Sequence, residues 1–200
     1  MKNTTTLIGI TGNIATGKSV VRRMLTNAGA FGLDADVIAH RVIYPSGPAY
    51  QDVVYTFGEE ILADNGEISR TRLGKIVFNN PDQLAKLESI VHPAVSSAIQ
   101  QRIRASESPL AALEAIKLLE AGLGEICDTI WVSHAPQETQ LERLLHTRHL
   151  TEDEAWTRIN IQPPQEEKLE QADVVIHTIG PFHLTWDQVI KGLNDTIKEK

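Results

Sequence analysis

Residues 7–21 of this 200-residue chain read LIGITGNIATGKSVV, and no other stretch limits the fold so strongly. Leu7 to Ile10 is an apolar run of strand length. Gly12-Asn13-Ile14-Ala15-Thr16-Gly17-Lys18-Ser19 fits G-x-x-x-x-G-K-[ST] at every specified position. Val20, Val21, Met24 and Leu25 then recur at helical spacing. Strand, glycine loop and helix in that order separate a phosphate-binding loop from a chance Lys-Ser beside a turn. Gly12 and Gly17 admit backbone turns closed to side chains, so that N–H groups turn inward on a phosphate. The following helix adds its free N–H groups and the positive end of its dipole. Lys18 is expected to reach the β- and γ-phosphates, and the Ser19 hydroxyl to ligate Mg²⁺. The chain is thus expected to bind a nucleoside triphosphate.

Two later carboxylates stand where such a site needs them. Ala30 to Leu33 reads as a second strand, ending in Leu33-Asp34-Ala35-Asp36. Ligands of open α/β sheets gather outside the carboxyl ends of the strands. Asp34 and Asp36 there suit a general base or a holder of water around Mg²⁺. Alternatively, one is only the N-cap of a helix over 37–42, a role that fits Asp36 by position.

Residues 45–108 depart from the regular core. Helical patterns cover 50–57, 72–78 and 81–91, and His92-Pro93 is expected to end the last of these before another helix over 94–105. This region reads as a helical insertion that holds a second substrate. Sheet-like sequence returns at 109–116 and 128–133. Pro136 then opens a helix that carries Arg143 and Arg148. Thr151-Glu152-Asp153-Glu154 is a capping box for a further helix, containing Arg158. These arginines either swing over the nucleotide or belong to a solvated, salt-bridged helix pair. A last strand, 172–176, and a helix over 185–197 complete an α/β chain with a doubly wound parallel sheet. The expected division is a core of 1–44 and 109–200, a substrate region of 45–108 and a lid of about 143–163.

A net charge of −7 argues against a nucleic-acid partner and requires Lys and Arg to be concentrated wherever an anion binds. The single cysteine, Cys127, excludes an internal disulfide and reads as a small buried residue. Residues 1–6 are polar and short, with neither a signal peptide nor a membrane-spanning run in view, so a cytoplasmic protein is expected.

Taken together the motifs resemble those of the dephospho-coenzyme A kinase family, over almost the whole chain. They are GNIATGKS at 12–19, LDAD at 33–36, FG at 57–58, DNGEISR at 64–70 and LESIVHPAV at 87–95. ETQLERLLHTR at 138–148, RINIQPPQEEK at 158–168 and ADVVI at 172–176 follow. The resemblance implies a P-loop kinase fold with a helical substrate region and an arginine-bearing lid. It implies transfer of the ATP γ-phosphate to the ribose 3′-hydroxyl of dephospho-coenzyme A. By the same resemblance Asp36 is the general base, Asp34 neighbours metal and substrate, and Arg143 contacts phosphate. Residues 12–20, Val20 included, and Arg148 are expected to surround the nucleotide, and Arg70 and His92 to lie on the substrate side; Lys117, which the family pattern lacks, is also expected beside the acceptor.

The sequence departs from the family pattern at three points. Glu114-Ala115-Ile116-Lys117-Leu118-Leu119-Glu120 stands for Asp-x-Pro-Leu-Leu-x-Glu, Val20 for a threonine, and Thr178 for an asparagine. The entry of Lys117 raises the alternative of a kinase for another nucleotide-like alcohol. A non-catalytic nucleotide-binding protein is a third reading, disfavoured because Lys18, Ser19, Asp34, Asp36 and Arg143 are all retained.

Overall fold

A computed structural model describes residues 5–198; residues 1–4 of the polar N-terminal stretch lie outside it. The described chain forms two compact units, one of residues 5–33 and 106–198, the other of residues 34–105.

The first unit is built on five parallel strands in the order β2-β3-β1-β4-β5. They are β1 (Thr6–Thr11), β2 (Phe31–Asp34), β3 (Leu110–Glu114), β4 (Thr129–His134) and β5 (Val174–His177). β1 and β3 are buried along their whole length, which is why they read as continuous apolar runs rather than as alternating ones. Their register sets Ile10 beside Glu114, and β4 adds Thr11 beside Val132. The strand ends that carry the glycine loop, Glu114 and Ser133 are thereby brought level.

Helix α1 (Lys18–Asn27) and the C-terminal helix, Phe182–Lys198, pack Val21, Met24, Leu25, Val189 and Leu193 on Ile8, Ile10, Trp131 and Ile176 of the sheet. The C-terminal helix lies so close to the indole that a Cβ at Gly192 would stand 3.0 Å from Trp131 Cη2. Gly9 has a similar reason: a Cβ there would meet Cys127 Sγ at 2.7 Å. Cys127 itself is largely buried, and burial, with Asp128 beside it, pushes its thiol up to about 12. That leaves it protonated and unreactive.

The second unit is helical: α2 (Ala35–Val42), α3 (Tyr50–Phe57), α4 (Arg70–Val77) and α5 (Pro81–Ser106). Val53, Phe57, Ile61, Leu73 and Val77 form its core, with Leu84, Leu87, Ile90 and Val91 of α5 packed against them. Between α3 and α4 the chain turns at 64–66, with Gly66 at φ 79° and a bridge between Leu62 and Ile68 around it.

Two local expectations are corrected. Pro93 does not end a helix; α5 runs through it for 26 residues. The proline removes one backbone donor, but the apolar side chains before it and the buried Val95 and Ile99 after it hold both halves in one rod. The helix after β2 starts at Ala35, not Val37, and its N-cap is Asp34, whose carboxylate accepts the Val37 N–H at 3.1 Å.

The remaining helices belong to the first unit: α6 (Gln137–Arg148), α7 (Glu152–Asn160), α8 (Glu166–Leu169) and the C-terminal α9 (Phe182–Lys198). Both halves of the expected capping box form at the start of α7: Thr151 Oγ1 accepts the Glu154 N–H, and Glu154 Oε2 accepts the Thr151 N–H.

Proline inside a helix costs about 3 kcal/mol against alanine, and Pro93 is exposed. Pro93→Ala is expected to raise the stability of the helical unit by about 1–3 kcal/mol, read as a higher midpoint in urea unfolding.

Candidate phosphate-transfer site

A loop that binds anions through its N–H groups must turn its carbonyls away, and each of those needs a donor. At Gly12, Asn13, Ala15, Thr16 and Gly17 the donors are found. Lys18 Nζ donates to the carbonyls of Gly12 and Asn13, both at 2.9 Å, and Thr16 Oγ1 donates to Asn13 O at 2.8 Å. Arg143 Nη1 donates to Ala15 O at 2.9 Å, and Thr178 Oγ1 to Thr16 O at 2.6 Å. Gly17 O receives the N–H groups of Val20 and Val21, where α1 begins.

The loop also sits tightly on the strand ends. A Cβ at Gly12, whose φ is 144°, would stand 2.5 Å from Ser133 O; one at Gly17, φ 95°, would stand 3.1 Å from Thr178 Cγ2. Ala15 holds a left-handed φ of 57°.

Ser19 shows what faces the loop from the neighbouring strand. Its hydroxyl donates to Glu114 Oε1 at 2.5 Å, and Arg22 Nε donates to Glu114 Oε2 at 2.8 Å. Glu114 ends β3 and is buried. It was not among the expected site residues, although an acid closing an apolar strand beside the glycine loop was a usable signal. Ser19 Oγ and a buried carboxylate form a pair of hard oxygen donors, a set that suits Mg²⁺.

Arg143 lies half-buried on α6, with Nη1 also donating to Thr178 Oγ1 at 3.0 Å and Nη2 to Thr178 O at 2.5 Å. Burial draws its guanidinium below the ordinary arginine value, with Glu142 opposing, and the group stays charged. Thr178, which replaces the family's asparagine, therefore joins the loop to the arginine. Beside them a cavity of about 390 Å³ is lined by Thr139, Glu142, Arg143, His146, Ile179 and Gly180. Arg148 and Arg158 are exposed on α6 and α7.

Lys117 is exposed in the turn after β3, and its charge bears on Glu120. In the same turn Ile116, at the family's proline position, offers its carbonyl to Thr11 Oγ1 at 3.1 Å. Glu120 is paired with the buried Lys168, so the end of the β3 turn and the last residue of QPPQEEK form one ion pair.

Four expected site residues belong to the helical unit. Asp34 caps α2, while Asp36 lies exposed in the first turn of that helix. The capping role that position alone suggested for Asp36 therefore falls to Asp34. Arg70 is the exposed first residue of α4, and His92 is half-buried midway along α5.

Comparison with known proteins covers nearly the whole chain. The family model described as dephospho-CoA kinase matches residues 6–181. A dephospho-CoA kinase of Carboxydothermus hydrogenoformans is 43% identical over 187 residues, covering 92% of this chain and 91% of that one. A crystal structure from Thermus thermophilus superposes with a TM-score of 0.84 at 30% identity, over 96% of this chain and 97% of its own. A dephospho-CoA kinase structure from Campylobacter jejuni does so with a TM-score of 0.68 at 25% identity, over 100% and 99%.

The Glu120–Lys168 pair yields a stability test. Burial works to raise the Glu120 carboxyl, but the hydrogen bond and charge of Lys168 outweigh it and hold the group below the ordinary carboxylate range. The pair's contribution is then complete above about pH 4.3 and is lost as the pH falls through the lower folded value. Glu120→Ala strands a buried ammonium. It is expected to cost about 2 kcal/mol at neutral pH, short of the roughly 3–5 kcal/mol for two buried partners because Glu120 is partly solvated. Urea unfolding across pH should show the gap between variant and parent closing in acid.

Proposed function

This chain belongs to the dephospho-CoA kinase family, and from that membership we propose that it transfers the γ-phosphate of ATP to the ribose 3′-hydroxyl of dephospho-coenzyme A. It is an ATP-dependent phosphotransferase with a small-molecule substrate. The observation that carries the reading at the level of residues is the loop of residues 12–19. Donors from Lys18, Thr16, Arg143 and Thr178 occupy its carbonyls at Gly12, Asn13, Ala15 and Thr16, which supports a role for its remaining N–H groups in holding a triphosphate.

The proposed roles follow from position and chemistry. Gly12, Asn13, Ile14, Ala15, Thr16, Gly17 and Val20 shape the cradle, and Lys18 follows the β- and γ-phosphates as a point charge. Ser19 and Glu114 would hold Mg²⁺, which when bound neutralises charge on the phosphate oxygens. Arg22 steadies the second oxygen of Glu114. Arg143 has its backbone partners fixed before any ligand arrives, so little reorganisation is needed to oppose charge on the transferred group. The cavity between α6 and residues 179–180 suits the nucleoside end of ATP, with Thr178 at its edge. Arg148 lies beyond it on the lid, formed by α6 and α7. Arg70, His92 and Lys117 are assigned to the acceptor.

Asp36 is proposed as the base that accepts the hydroxyl proton and aims the oxygen at phosphorus. Asp34 already has the capping bond to Val37, which restricts its swing. No helix among the described residues is long and apolar enough to cross a membrane, and a cytoplasmic enzyme is the proposed setting.

The direct test is ATP consumption with dephospho-coenzyme A, adenosine, nucleoside monophosphates and pantetheine phosphate offered separately. Turnover with dephospho-coenzyme A is expected; turnover with another acceptor alone would return the assignment to the reading motivated by Lys117. Two variants divide the carboxylates. Asp36→Asn is expected to keep the fold and ATP affinity while losing at least about a hundredfold in kcat. Asp34→Asn, which retains a capping side chain, should show a weaker chemical defect and a raised Mg²⁺ requirement, both read by steady-state kinetics. An active Asp36→Asn beside a dead Asp34→Asn would reverse the two roles.

A further inference from the structure

The carbonyls of the phosphate loop take donors, but one of its amides takes an acceptor from far along the chain. Gln162 Oε1 accepts the Ile14 N–H at 2.6 Å. Alongside it, Asn13 Nδ2 donates to the carbonyl of Pro163 at 3.0 Å. The Ile14 side chain is buried among Leu144, Ala155 and Ile159, the apolar seam of α6 and α7. Two consecutive loop residues are thus joined, by two hydrogen bonds and a hydrophobic contact, to the lid helices and the segment leaving them.

The type of residue at 162 is informative. A lysine or arginine has no acceptor for the Ile14 N–H, and an apolar side chain would leave that amide unpaired. A glutamate would accept it more strongly, but would set a negative charge on a loop built to receive an anion. A carboxamide accepts the N–H and stays neutral. The limb it holds is the one whose carbonyls receive Lys18 Nζ, at Gly12 and Asn13. Arg143 and Thr178 occupy the other limb, beside the cavity assigned to the nucleoside.

We infer that Gln162 is a positioning residue for the terminal phosphate: it fixes the Ile14 amide, and with it the width of the loop's first limb, and does so without charge. This rests on the reading of residues 12–19 as the triphosphate cradle. Gln162 acts through Ile14, and its effect is on how strongly successive phosphates bind.

The test is equilibrium binding of ATP, ADP and AMP, with Mg²⁺, to the full chain and to Gln162→Glu and Gln162→Ala, with thermal unfolding measured in parallel. Gln162→Glu keeps the acceptor for Ile14 and is expected to unfold near the parent temperature. It should lose about tenfold or more in ATP affinity, less for ADP and little for AMP. Gln162→Ala, where it folds, should lose less for ATP than the glutamate variant. Were Gln162 only a structural tie, the glutamate would restore binding. ATP affinity equal to the parent's in Gln162→Glu, or an equal loss for all three nucleotides, would therefore overturn the inference. Failure of the underlying reading has its own signature, since the parent itself would then bind AMP as tightly as ATP; in that case the inference falls with it.

Discussion

The structure depends on a loop whose backbone must face two ways. Its N–H groups have to be available to an anion, so its carbonyls must find donors elsewhere, in a place too buried for water to supply them all. Lys18, Thr16, Arg143 and Thr178 meet that demand, and they come from the loop, α1, α6 and the end of β5. Their arrival depends in turn on the sheet order, which sets β4 and β5 on one side of β1 and β3 on the other. Parallel pairing then levels the strand ends, so that Ser133 and Glu114 both reach the loop.

The same arrangement explains why particular small or neutral residues stand where they do. Gly12 and Gly17 are needed for two reasons at once, a positive φ and the closeness of Ser133 and Thr178. Ala15 has the left-handed conformation without glycine's freedom, a local strain of about 1 kcal/mol that the surrounding hydrogen bonds sustain. Gln140 and Gln165, both buried, extend the polar frame with bonds to Ala135 O at 2.8 Å and Ser133 O at 2.9 Å. Polar side chains in this frame act mainly on backbone groups, which gives the site a fixed shape before a ligand binds.

Thr178 and Glu114 show how departures from the family pattern are absorbed. Threonine at 178 retains one acceptor and one donor, and uses them on Arg143 and Thr16. Glutamate at 114 has an extra methylene compared with aspartate, and its two oxygens divide between Ser19 and Arg22. Glu120, at the last position of the motif that Glu114 opens, pairs with Lys168. The helical unit has a separate apolar core and carries Asp36 on the first turn of α2.

Much of this was legible in the sequence because it is local. The strand, loop and first helix are specified within fifteen neighbouring residues, and the capping box of α7 within four. Pro93 was misread because tertiary packing on both sides of a proline outweighs its local preference. The cap of α2 was misplaced because Asp34 and Asp36 offer the same chemistry, and only the backbone at residue 34, extended at φ −120° and ψ 110°, decides which one accepts the Val37 N–H. Thr178 and Gln162 could not be assigned from sequence position, since their loop partners lie 162 and 148 residues away. The sequence alone determined that a phosphate loop would form, through short-range turn chemistry. Which side chains would complete it was decided by strand order and register, because only the folded sheet brings those distant residues within hydrogen-bond reach.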